Sequence, residues 1–224
     1  MSRRDPIPVP RSLPRGVHGL ERQVVLMSQR ARLLEGIVRA VAEKGYAATR
    51  VQDITRHARV SRTTFYEQFT DKEECFLAAY ESGAQAHLEH VAAAIRRTPG
   101  LVDKLREGAR AYIEVLAAEP DYAQTFLSEV QAAGPRALAM RLDVHRRYAE
   151  LLRAWHEAAR AEIGGLPDLP GEVFTGAVGA TDEIVAARIR DGDAKRLLAL
   201  TPTLVYVYLA LFGIGDIARL ELQR

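Results

Sequence analysis

The sequence holds a single cysteine among 224 residues, Cys75. One thiol cannot close an intrachain disulfide and cannot build a cysteine-based zinc cluster, and it is compatible with a reducing, cytoplasmic setting. No convincing run of alternating polar and apolar residues occurs, so strands are not expected. The opening stretch, MSRRDPIPVPRSLPRGVHG, lacks the continuous apolar segment of a secretory signal. It carries instead four of the ten prolines and four arginines, which favours an extended, disordered basic arm over residues 1–21.

Catalytic patterns are also missing. No nucleophile elbow or phosphate-binding loop is present. GIGDIA (213–218) has the spacing of a dinucleotide turn, but only six residues follow it, too few for the returning strand and distal acid. HEAAR (156–160) begins like a zinc-protease motif and then places Arg160 where the second histidine belongs. His87 and His90 stand three apart on a predicted helix with nothing to complete a ligand set. The expectation is a protein without catalytic residues, metal or cofactor.

What is present is an ordinary globular composition, 48% hydrophobic and 27% charged, long enough for one large domain or two small ones. Net charge is only +2, yet residues 1–66 carry 13 basic and 5 acidic side chains, whereas the remainder carries 18 and 24. The front third is therefore suited to an anion, or has a solvated basic face; charge by itself fits either.

Helix breakers divide the chain. Leu26, Leu33, Leu34, Ile37, Val38, Val41 and Tyr46 recur at three- and four-residue steps and predict an amphipathic helix of about 20 residues ending at Gly45. Thr49 with Gln52 has capping-box spacing and predicts a short helix through Ala58. Ser61 is the next N-cap candidate, and Asp71 opens a longer helix that TPG (98–100) stops. Further breaks fall at Glu119-Pro120, at Gly134-Pro135, across 164–171 and at 191–193, with Thr201-Pro202 as an N-cap followed by proline. The chain is predicted all-α, with nine or ten helices.

The second and third of these helices have helix-turn-helix spacing. Val51, Ile54 and Ala58 face Val60 and Phe65 across a turn of about three residues. Such a turn lets the later helix enter a major groove and puts Arg62, Thr63 and Thr64 at its leading end as base readers. Tyr66 then lies in range of a phosphate, and Thr49 and Lys72 stand at helix starts that favour phosphate. Arg50 and Arg59 are further phosphate candidates.

From Leu26 to about Tyr80 the ordered set Gly45-Tyr46, Thr49, Ile54, Ala58-Arg59-Val60-Ser61, Thr64-Phe65-Tyr66, Phe69 and Lys72-Glu73 resembles the DNA-binding domain of the TetR (tetracycline-repressor-like) family. The resemblance covers about a quarter of the chain. It implies an all-α protein with an N-terminal three-helix DNA-binding domain (22–71) and a C-terminal effector-binding and dimerisation domain (72–224). It further implies a homodimeric transcription regulator, most often a repressor, that binds a palindromic double-stranded DNA operator and is released by a small-molecule effector. Two positions depart from the family pattern: Arg59 stands where glycine is usual, and Thr55 where alanine is. Cys75 occupies an apolar core position of the family and is expected to be inert packing.

The C-terminal region is less specific. Tyr112, Phe126, Trp155 and Phe174, on separate helices, are candidates to line an effector pocket, with Thr181 as a polar contact; taken singly, core packing explains each. Residues 197–215 form 19 uncharged residues, near the length that spans a bilayer, but Thr201-Pro202 breaks the run. A helix apolar all round also suits a dimer seam. With the small residues Gly176, Gly179 and Ala180 of the preceding helix, Val205, Tyr208, Leu209 and Phe212 resemble the family's two-helix dimer interface. The seam is preferred to a membrane anchor through 197–215. A DNA-independent helical adaptor for protein partners is the alternative from a different class.

Overall fold

The computed structural model describes residues 22–222. The proline-rich arm at 1–21 lies outside them. Ten α-helices and no strand occur among the described residues. The chain divides into two compact units, one ending at Ala79 and the other beginning at Tyr80.

The first unit holds α1 (Arg22–Lys44), α2 (Val51–Ala58), α3 (Arg62–Tyr66) and the start of α4 (Lys72–Arg97). The stripe read from the sequence buries Leu33, Ile37 and Val41 of α1 against Ile54 and Ala58 of α2, with Phe65, Phe69 and Phe76 completing the core. Gly36 lets α1 and α2 cross closely. A β-carbon there would lie 2.7 Å from the Ile54 carbonyl oxygen and 3.1 Å from the Ala58 methyl. Gly45, at φ 77°, ends α1 in the left-handed conformation that glycine adopts without strain. Cys75 is fully buried, and burial pushes its thiol up to about 12, so it packs as a small apolar group.

One cap differs from expectation. Helix α2 begins after Arg50, whose backbone N–H donates to the Asp53 carboxylate (3.0 Å). Thr49 is not the cap, because its hydroxyl donates inward to the carbonyls of Gly45 (2.8 Å) and Ala40 (3.1 Å). Asp71 caps α4, accepting from Glu74 N–H (2.8 Å).

The second unit comprises the rest of α4 with α5 (Leu101–Ala118), α6 (Pro120–Ala123), a π-helical turn (Gln124–Ser128), a 3₁₀ turn (Val130–Ala133), α7 (Pro135–Ile163), α8 (Gly171–Arg190), a second 3₁₀ segment (Ala194–Leu200), α9 (Thr201–Leu211) and α10 (Gly215–Glu221). Pro120, Pro135 and Pro202 each sit in the first turn of their helices, where a missing N–H costs nothing. Thr201 is the first residue of α9 rather than its cap, its hydroxyl donating back to Leu198 (2.9 Å). Helix α9 therefore has 11 residues, about 16 Å of rise, roughly half a bilayer core. No described helix is long and apolar enough to cross a membrane.

Helix α9 also corrects the seam. Val205, Leu209 and Phe212 are wholly buried within their own unit, beside Trp155 and Phe174, and offer nothing to a partner. Tyr208 is turned inward as well, its hydroxyl 3.0 Å from that of Thr181. Because α9 is apolar on every side, its periodicity does not reveal which face meets the core. Gly176 and Ala180 of α8 are exposed, and Gly179 is partly so.

Candidate nucleic-acid interface and ligand cavities

The turn before α3 is set by backbone geometry. Arg59 adopts φ 54°, ψ 46°, the left-handed conformation that glycine usually supplies, at a cost of about 1 kcal/mol. The N–H groups of Arg59 and Val60 close on the carbonyls of Arg56 (3.3 Å) and Thr55 (3.2 Å). Thr55 fits its tight position, its hydroxyl donating to the Gln52 carbonyl (3.1 Å). Ser61 then caps α3 by accepting from Thr64 N–H (3.0 Å).

Helix α3 is too short to be stable alone and is fastened from one side. Phe65 and Phe69 are buried, the Arg30 guanidinium lies 4.5 Å over the Phe69 ring, and burying two such rings contributes about 3–6 kcal/mol. The opposite side presents Arg62, Thr63 and Tyr66 to solvent, with Tyr66 52% exposed. Among the described residues Arg62 has no acidic partner; its guanidinium hangs 6.0 Å from the Tyr66 ring. Thr64 is half-buried, with its hydroxyl 2.9 Å from Ser61 Oγ, so it braces the cap; of the three residues expected to read bases, Arg62 and Thr63 are the freer.

The predicted phosphate contacts separate into two groups. Arg50, Arg59 and Tyr66 are exposed. Thr49 is buried, and both its hydroxyl and its N–H are spent on backbone carbonyls, so it has no donor left for phosphate. Lys72 donates to the carbonyls of Tyr46 (2.7 Å) and Thr49 (3.0 Å) and stands 4.1 Å over the Tyr46 ring. It ties the chain after α1 to α4 and keeps one of its three N–H bonds; burial lowers its pKa. Asp53, the third residue of α2, supplies the side chain that closes its N-terminus, accepting from the backbone of the N-cap residue Arg50. It is held below the usual carboxylate range by hydrogen bonds from Lys44 and the Arg50 backbone. Its signal was available, an acid three residues after the cap, but Thr49-Gln52 gave a competing match one residue earlier.

In the second unit two adjoining cavities open between α4, α5, α7 and α8. The first encloses about 550 Å³ counting its mouth, of which about 50 Å³ admits the centre of a water molecule. Tyr112, Trp155 and Thr181 line it, with Leu105, Leu152 and Tyr208. The second, about 430 Å³ on the same measure, is lined by Tyr112 and Phe126 with His87, Tyr148 and Asp182. Phe174 lines neither; it packs on Phe212 (5.3 Å between centroids) and His156 (5.6 Å) as core.

A buried polar cluster at the cavities was not foreseen. Asp182 accepts from Arg141 (2.6 Å) and from the Tyr112 hydroxyl (2.8 Å), and His145 Nε2 lies 3.1 Å from it. Burial pulls its pKa upward, but the His145 hydrogen bond and the charges of His145 and Arg141 outweigh that and hold it low. His87 donates through Nε2 to the Tyr112 carbonyl (2.9 Å) and stacks on the Tyr112 ring at 5.0 Å. Burial pushes its pKa down to about 4, so it is a neutral imidazole.

This geometry has counterparts among known proteins. Residues 33–79 match the model of bacterial regulatory proteins of the tetR family. No curated protein matches the sequence. The fold is similar to that of the fatty acid degradation regulator FadR from Bacillus halodurans, at 20% identity and a TM-score of 0.72 over 82% of this chain and 97% of that one. FadR from Bacillus subtilis, solved with stearoyl-CoA, is similar at 16% identity, with a TM-score of 0.72 over 82% and 98%. A tetR-family regulatory protein from Rhodococcus RHA1 is similar at 23% identity and a TM-score of 0.64, over 84% and 97%. Residues 33–79 therefore carry a domain of the kind found in bacterial regulatory proteins of the tetR family, on a fold shared with solved regulators of that family.

Proposed function

We propose that the protein is a ligand-responsive transcription regulator, a repressor acting in the cytoplasm, that binds an inverted-repeat DNA operator as a homodimer. The observation that carries this is α3: buried Phe65 and Phe69 hold it, and Arg62, Thr63 and Tyr66 stand free on its outer side. Two such helices read half-sites roughly 34–36 Å, or a multiple of that, apart. Arg62 offers a fork for guanine, Thr63 a hydroxyl and methyl, and Arg50, Arg59 and Tyr66 flank them for phosphate.

For the dimer we favour the exposed side of α8, with Gly176 and Ala180, together with the outward residues Ala210 and Leu211 of α9. Ala180→Arg combined with Leu211→Arg is expected to give monomers in sedimentation. A double variant that remains dimeric removes this seam.

The effector is assigned to the paired cavities. The stearoyl-CoA held by the Bacillus subtilis relative supports a ligand with a long apolar part here too. Helix α4 belongs to both units, so a ligand that binds its two states unequally changes DNA affinity through it.

The deciding experiment is selection of bound fragments from a random duplex pool at about 0.15 M salt, which weakens non-specific binding. An enriched inverted repeat is expected. Its absence with a dimeric protein favours the DNA-independent adaptor. On the selected site, Arg62→Ala is expected to cost about 1–3 kcal/mol per half-site and to relax preference at one base position. Unchanged preference removes α3 as the reading helix.

A further inference from the structure

The two cavities share a partition made of Tyr112, Tyr148 and Val178. The tyrosine rings meet edge to face, 5.7 Å between centroids. Tyr112 is fixed, its hydroxyl bonded to Asp182 and its ring stacked on His87. Tyr148 is not: its hydroxyl is fully buried and has no hydrogen-bond partner among the described residues. Such a group loses its water without compensation, so a ligand that supplies a partner there gains what folding left unmade.

The surroundings define that partner. Burial first, then the charges of Tyr122 and Asp182, raise the Tyr148 pKa well above its ordinary value, so the phenol is a neutral donor. An acceptor is required, and it has to be uncharged. A second anion beside that hydroxyl would meet the Asp182 carboxylate, whose two partners Arg141 and His145 are already bonded to it; a cation would meet those same two partners. The rest of the first cavity is mostly apolar, with Ile95, Leu105, Leu152 and Trp155 in its wall; Thr181 and Tyr208 are bonded to one another, and Lys104 stands at the far end of its α5 side. Lys104, Gly108 and Tyr112 line it at four-residue steps along α5, so it runs about 12 Å along that helix.

We propose that the cavities take an uncharged, elongated apolar molecule bearing a carbonyl-type oxygen. The oxygen accepts a hydrogen bond from Tyr148, and the apolar body lies against Trp155. Tyr148 is thereby the specificity-determining residue of the effector site, an assignment that rests on the effector reading above.

Trp155 is the chain's only tryptophan, so its emission reports occupancy of the cavity. Three probes of similar length separate the chemistries: methyl octanoate, octanoate and octene. Methyl octanoate is expected to bind saturably, and octanoate at least about tenfold more weakly. Tyr148→Phe keeps the ring and removes only an unpartnered hydroxyl, so it is expected to melt no lower than wild type. It should weaken the ester about three- to tenfold and leave octene binding equal or tighter. Unchanged ester affinity in Tyr148→Phe, octanoate binding tighter than the ester, or no response to any probe from a DNA-competent protein overturns the assignment. An ester that binds through Tyr148 without changing operator affinity upholds the ligand class and removes only the effector coupling.

Discussion

The two units treat polar side chains in opposite ways. In the first, the buried threonines Thr49 and Thr55 spend their hydroxyls on backbone carbonyls, and the groups with recognition chemistry stand outside on α3. In the second, Asp182, His87 and Thr181 are buried together around cavities, and the Tyr148 hydroxyl is left unmatched. A surface that reads a rigid polyanion needs its donors held out from a tight core. A site that encloses a small molecule needs buried polarity, which costs stability until it is matched. One unit is built to present, the other to enclose.

The contrast is broken most severely at Asp182. Asp182→Ala strands Arg141 and the Tyr112 hydroxyl in the interior and is expected to cost about 3–5 kcal/mol, read as a lower urea midpoint of Trp155 fluorescence. A loss below about 1 kcal/mol would show the cluster to be hydrated rather than enclosed. In the first unit, Gly36→Val forces α1 away from the Ile54 carbonyl and is expected to cost about 3 kcal/mol. Operator binding should fail while the response of Trp155 to ligand persists, which tests whether the units are energetically separable.

A smaller effect comes from His87. Its folded pKa of about 4 lies below the ordinary imidazole value of 6.5, so the unfolded chain takes up a proton first as pH falls. Stability is complete above about pH 6.5 and declines through the window down to about pH 4, by about 2 kcal/mol between pH 7 and pH 5. His87→Phe should flatten that slope in urea titrations at the two pH values. Smallest is the cap: Ser61→Ala is expected to cost about 1 kcal/mol in thermal unfolding, with a larger proportional loss in DNA affinity because α3 is so short.

The same contrast explains what the sequence made legible. The first unit depends on local chemistry: caps at Ser61 and Asp71, glycine at the end of α1, and apolar residues at helical spacing, all visible in a string of letters. Even there Thr49 misled, since a threonine before a helix fits a cap and an inward hydroxyl equally well, and only the nearby Ala40 and Gly45 carbonyls decide. The close crossing at Gly36 depends on α2 and left no local mark. In the second unit, chemistry comes from residues far apart in sequence. Tyr112 and Asp182 are bonded across 70 positions, and Tyr148 lies in a helix whose neighbours Arg146 and Arg147 make it read as surface. Trp155, Tyr112 and Thr181 do line a cavity, whereas Phe174 is core; composition alone does not separate them. The uniformly apolar α9 carries no phase at all, so its letters fit Val205, Leu209 and Phe212 facing a partner as well as facing the core, where they lie.

The π-helical turn at Gln124–Ser128 bears on how this chain tolerates change in length. Its hydrogen bonds reach one residue further than those of an α-helix, so it stores a surplus residue in one turn. Removing a single residue there lets the turn relax to α with the flanking segments still in phase. The same deletion in α5 would swing every later side chain by about 100° and carry Tyr112 out of the cavity wall. Lineages of this sequence can therefore shorten at Gln124–Ser128 with less disturbance than elsewhere, provided the buried Phe126 keeps its place in the cavity wall, and lengths should vary there before they vary in the helices on either side.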